Sequence, residues 1–98
     1  MLKEILAQDA ENSFARYALA LEHSRAGDLA AALTEFNLLL EKNPAYIAGY
    51  QMAAQTLVTA ERPAEARPYL ERGIAEANRT GNQHAASEMR SLLDDISR

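Results

Sequence analysis

The stretch LALEHSRAGDLAAALTEFNLLLEKNP, residues 19–44, decides the fold. Its first eight residues continue a helix-forming run that opens near Ser13. Gly27 followed by Asp28 stops that helix and caps the next one. The second run ends at Asn43-Pro44, because proline disfavours helical geometry in the residue before it. Two helices joined by so short a turn must lie antiparallel, so the stretch is a helical hairpin.

Moved along the chain by 34 residues, the pattern repeats. Leu2, Phe36 and Leu70 fall in one column, and Leu6, Leu40 and Ile74 in another. Ile5 meets Leu39, Asp9 meets Asn43, Ala20 meets Ala54 and Ala32 meets Ala66. Self-similarity at this period marks a helical-repeat array, in which no unit buries its apolar face alone and each stacks on a neighbour. The other breaks agree. Asp9 to Ser13 forms a turn with Asn12 or Ser13 as N-cap, Arg62-Pro63 suits a helix start, and Thr80-Gly81-Asn82 is the last interruption. Helices are therefore expected at about 2–8, 13–26, 29–42, 46–60, 64–79 and 82–97, with no strand signal anywhere. Pro68 is expected to bend its helix slightly or delay its start.

Composition narrows the function. Ninety-eight residues suit a single domain, and 48% hydrophobic content, much of it Ala, suits closely approaching helices. Ten Lys and Arg against fourteen Asp and Glu give a net charge of −4, which opposes nucleic-acid binding because that depends on clustered positive charge. There is no cysteine for disulfides or thiolate metal sites. No export leader or apolar membrane span is read, so a soluble, cytoplasmic protein with no membrane partner is expected.

Leu19-Ala20, Gly27-Asp28, Ala32, Phe36 and Pro44 resemble the tetratricopeptide repeat, which favours Leu-Gly/Ala, Gly-Asp, Ala, Phe and a closing Pro at these places. A second copy keeps Tyr50, Ala54, Leu57 and Ala66, with Leu70 at the Phe position. The resemblance implies an all-α fold of antiparallel helical hairpins stacked as a short right-handed α-solenoid. It divides residues 1–98 into a partial amino-terminal helix at 1–10, a first repeat at 13–46, a second at 47–80 and a capping helix at 82–97. The departures are Arg16 for a large aromatic, His23 for Tyr, Ala53 for Leu, Glu61-Arg62-Pro63 for the second Gly turn and Asn78 for the closing Pro.

In such a repeat the first helix lines the concave face. Phe14, Tyr17, Leu21 and Ser24 form one stripe of the first helix, and Leu19, Ala20, His23 and Ala26 an opposite stripe expected in the core. The second copy presents Ala48, Gln51, Gln55 and Val58. The resemblance implies that these residues, with Met52 beside them, form a peptide-binding groove. Tyr17 and Leu21 would supply apolar area, and Gln51 and Gln55 backbone donors and acceptors. The same apolar residues also suit packing on the amino-terminal helix. Some family members clamp a chaperone peptide's terminal carboxylate with Lys and Asn. The corresponding positions here are Tyr17, Leu21 and Met52, so that clamp is not expected.

No nucleophile elbow, phosphate loop or metal-ligand grouping is present, and His23 and His84 are far apart, so neither catalysis, a cofactor nor a metal is expected. Arg62, Arg67, Arg72 and Arg79 are mostly answered by nearby Glu on an exposed helix. Ala85, Met89, Leu92, Leu93 and Ile96 fall on one side of the last helix, making it an amphipathic cap, whereas Leu2, Ile5 and Leu6 cover the other end only partially. The expected function is non-catalytic capture of a protein or peptide on the concave face. The alternative is a structural subunit that homodimerises through its inner or amino-terminal apolar surface.

Overall fold

A computed structural model describes residues 1–98 as six α-helices. They are α1 (Leu2–Gln8), α2 (Ser13–Arg25), α3 (Leu29–Lys42), α4 (Ile47–Thr59), α5 (Pro63–Arg79) and α6 (Gln83–Ile96). Their ends follow from local chemistry. Asn12, Asp28 and Asn82 each accept, through a side-chain oxygen, the backbone N–H three residues on, at 2.9, 3.1 and 3.1 Å. Pro63 opens α5, where its missing N–H costs nothing.

One turn is used three times. After α2, α4 and α5 the chain passes through a residue of positive φ: Gly27 at 79°, Glu61 at 62° and Gly81 at 77°. Each turn closes with the same bond pair. Asp28, Arg62 and Asn82 donate to the carbonyls of His23, Leu57 and Ala77 at 2.8–2.9 Å. Gly27, Glu61 and Gly81 donate to those of Ser24, Val58 and Asn78. This is the Schellman closure, which satisfies otherwise orphaned helix carbonyls. Replacing the second Gly by Glu61 leaves the turn geometry intact.

The helices stack in order. Each packs on the next, α2 also touches α4 and α4 touches α6, while α1 and α6 do not meet. The result is an open slab of 42 × 30 × 17 Å, a helical-repeat solenoid and not a closed bundle. Alternate helices approach backbone to backbone on one side only: α2, α4 and α6 lie close, whereas α3 and α5 meet only through side chains such as Tyr69 on Asn37. The stack therefore curves around the α2–α4–α6 layer.

Two buried clusters hold it together. Ala20, Ala32, Phe36 and Ala53 form the smaller one, roofed by Tyr17, Leu21, Met52 and Tyr69. The larger runs from Leu40 on α3 to Met89 on α6 and includes Tyr50, Leu57 and Leu70. Phe36 and Leu70, from one sequence column, are both fully buried. Fully burying a side chain of this size contributes about 1.5–3 kcal/mol. Leu2, their counterpart on α1, is only half-buried, and α1 buries no residue completely.

Some expectations require correction. Leu19 and Ala20 are core, but His23 is half-buried and Ala26 is exposed. Ala26 is the C-cap residue of α2, already at the turn. Pro68 does not delay α5, which begins at Pro63 and continues through it to Arg79. Its ring is exposed, so water can serve the Ala64 carbonyl that loses its N–H partner.

Candidate protein-interaction face

Counting from the N-caps Asn12, Tyr46 and Asn82 puts α2, α4 and α6 in a common register. Seven residues past the cap stand Leu19, Ala53 and Met89, all buried. Eight past it stand Ala20 and Ala54, both buried, but then Arg90, exposed and hydrogen-bonded to Asn78 Oδ1 at 3.1 Å. Small residues at that position on α2 and α4 admit the following helix, whereas α6 carries a long, exposed side chain there.

The residues expected on the curved-in face lie two, five, nine and twelve past the cap. On α2 these are Phe14, Tyr17, Leu21 and Ser24. Phe14 is 70% exposed, the largest exposed apolar surface besides Met1 at the chain start. Tyr17 and Leu21 are half-buried, one side packed on the Phe36 cluster and the other toward solvent. They serve packing and surface at once. On α4 the series is Ala48, Gln51, Gln55 and Val58; Ala48 and Gln55 are exposed, and Gln51 is half-buried. Met52, one residue off the series, roofs the same cluster as Tyr17 and Leu21.

Polar contacts fix the seam between α2 and α4. Thr56 donates its hydroxyl to the Met52 carbonyl at 2.7 Å, so Ser24 is the donor in the 3.0 Å contact between Ser24 Oγ and Thr56 Oγ1. Gln55 Nε2 donates to Thr59 Oγ1 at 3.4 Å, leaving its carbonyl oxygen without a side-chain partner. Ser24, Thr56 and Thr59, with Gly27, Leu29 and Ala60, line an open cleft of about 270 Å3 at one rim.

Sequence reading missed Tyr46. As N-cap residue of α4 it sits outside the helical stripe, yet its ring lies 5.4 Å from that of Tyr17, tilted by 48°. Such a tilted pair is worth about 0.5–1.5 kcal/mol beyond its buried area. Burial raises the pKa of both phenols above 10.0; the Tyr46 phenol adds to the rise at Tyr17 and Arg25 opposes it. Burial likewise raises Tyr69, against its hydrogen bond to Asn37 and the charge of Arg72. Each stays a neutral donor near neutral pH.

The α6 portion is also new. His84, Ser87, Ser91 and Asp94 continue the register, all exposed. His84 Nε2 lies 3.1 Å from Glu88 Oε1, a one-turn pairing the sequence reading overlooked. No three His, Cys, Asp or Glu side chains gather into a metal-sized group, and no helix is long and apolar enough to cross a membrane.

The fold and register define a helical-repeat protein with one layer of helices lining its curved side. A TPR repeat-containing protein of Pseudomonas aeruginosa is 30% identical over 97 residues, which cover 99% of this chain and 92% of that protein. The chain belongs to the tetratricopeptide repeat family. Solved structures agree. The crystal structure of a tetratricopeptide repeat domain protein from Salinibacter ruber is 29% identical with a TM-score of 0.76, matching 88% of this chain and 96% of that one. A solution structure of a tetratricopeptide repeat domain protein from Salinibacter ruber gives 31% and 0.81, over 90% and 89%. A Bordetella parapertussis protein in solution gives 28% and 0.82, over 99% and 84%. No family model matches the chain. The fold of this family supports protein–protein interaction in general.

Proposed function

We propose that this chain is a non-catalytic adaptor that captures a peptide or protein segment on its concave face. In this reading 13–46 and 47–80 are its repeats, 1–10 is a partial helix and 82–97 is a cap. The observation that carries the proposal is Phe14, 70% exposed on the first helix of the concave face, beside the half-buried Tyr17 and Leu21. Exposed apolar area rimmed by polar groups is characteristic of interaction surfaces. Gln51 and Gln55 stand next along the face with amide donors and acceptors suited to a peptide backbone. The partner works in the cytoplasm with the adaptor, and neither nucleic acid nor a membrane takes part.

Phe14 provides the cleaner test, because Leu21 also roofs the core. Phe14→Asp is expected to leave the melting temperature within about 4 °C, since an exposed substitution changes stability by only about 0.5 kcal/mol. It should weaken capture of a native partner, isolated by pull-down, about tenfold or more. Retention of full affinity would remove the concave face from consideration.

One observation favours a second reading. Helix α1 buries no residue, and Met1 beside it is 86% exposed, so the amino-terminal end offers apolar area to another copy. Sedimentation across a wide concentration range distinguishes the two. A dimer abolished by Leu2→Lys and Ile5→Lys favours self-association, whereas a monomer that binds through Phe14 favours the adaptor.

A further inference from the structure

The concave face changes character along the stack, and the change is in charge. Flanking the face on α2, one residue beyond Ser24, stands Arg25, exposed and outside every ion pair. Helix α4 contains no charged residue at all. On α6 the residue of the face twelve past the cap is Asp94, with Asp95 flanking it, both exposed and again outside every ion pair. Elsewhere in the fold Glu35, Glu65 and Glu76 are each held by an arginine. The face thus runs from an aromatic, apolar end through a neutral amide middle to an open acidic end.

The geometry points to an occupant of matching polarity: a basic amphipathic peptide whose apolar side chain lies on Phe14 and Tyr17 and whose Lys or Arg lies over Asp94 and Asp95. This rests on the concave-face reading and adds the partner's chemistry and its direction. The apolar end supplies the contact area, because exposed ion pairs contribute little affinity each. The carboxylates set orientation and partner choice, since like charge placed against them is repelled and opposite charge is steered in. An acidic segment is excluded from the α6 end, and Arg25 repels a basic group placed in reverse at the α2 end.

The test uses three synthetic peptides that share a Phe/Leu half and differ in the other half, which carries Lys/Arg, Gln or Glu. Fluorescence anisotropy against the full chain at low ionic strength should rank them basic, neutral, acidic, with roughly threefold to tenfold between the first two. Raising the salt should erase that gap, because exposed charges are screened beyond about 8 Å at physiological ionic strength. Asp94→Asn with Asp95→Asn should bring the basic peptide down to the neutral one and leave the neutral one unchanged. Circular dichroism confirms that this variant folds.

Equal binding of basic and neutral peptides, both lost in Phe14→Asp, overturns the charge proposal and leaves the adaptor reading standing. A preference for the acidic peptide overturns it too. Binding of none of the three, or occupation of the face by a second copy seen as a Phe14-dependent dimer, overturns both.

Discussion

Glu61 holds a backbone conformation that its two structural counterparts give to glycine. Its φ of 62° costs a side-chain-bearing residue roughly 1–2 kcal/mol, offset by the two hydrogen bonds that close the turn. Glu61→Gly should therefore stabilise the fold by about 0.5–1 kcal/mol after the added freedom of the unfolded chain is counted. Gly73 has the opposite character. A Cβ built there would lie 2.6 Å from Met89 Sδ and 2.7 Å from Tyr50 Cβ, both on fully buried side chains. Gly73→Ala should destabilise by about 1–3 kcal/mol despite the better helix propensity of alanine. Urea titrations of the two variants against the parent check both signs. The sequence marked Glu61 only as a departure from the Gly turn, and Gly73 not at all. Glu carries a Cβ that disfavours a left-handed turn, and a mid-helix Gly reads only as a weak helix former until the helix crossing above it is known. Asn12, Asp28 and Asn82 act locally, which is why the cap and break pattern could place every helix.

Among the elements, α2 and α3 meet through a substitution that the repeat pattern treats as a fault. Arg16 stands where α4 has the buried Tyr50, and it donates from Nη1 to Glu35 Oε1 at 2.7 Å and from Nη2 to the Ala10 carbonyl at 3.3 Å. The two side chains are 13% and 18% exposed. An ion pair this covered replaces the missing aromatic as the link between hairpin halves. Removing one partner strands the other charge, so Arg16→Met should cost about 1–3 kcal/mol. Adding Glu35→Leu should recover most of that loss, which a double-mutant cycle by chemical denaturation measures directly. The sequence marked Arg16 as a departure but could not name Glu35, nineteen residues away on the facing helix. The apolar stripe on α2 was legible by spacing alone. What spacing hid was the double duty of Tyr17 and Leu21, since periodicity identifies a face without telling how much of it a neighbour covers.

At the scale of the molecule, the two clusters are unequal. Ten buried residues tie α3, α4, α5 and α6 together, whereas four join α2 to α3 and α4 and none belongs to α1. Repeat stacks open by neighbouring units, so local stability should fall from the carboxyl-terminal half toward the amino terminus. Hydrogen exchange should show amides of α1 exchanging first, those of α2 next, and those of α4 and α5 near the global limit. Uniform protection from α2 to α6 would contradict this ordering. The open stack was legible in the 34-residue period, because each column repeats a contact between neighbours and none joins the ends. The uneven depth of the core was not, since it depends on Gly73, Tyr50 and Met89 meeting at one point.

On the proposed concave-face reading, the thin cluster beneath Tyr17 and Leu21 would couple recognition to rigidity. A guest that presses on those two side chains adds a lid to the weaker hydrophobic nucleus, so docking would damp fluctuations several residues from any point of touch. Warming would loosen the host and release the guest together, and residence time would fall off more steeply with temperature than the contact area alone implies.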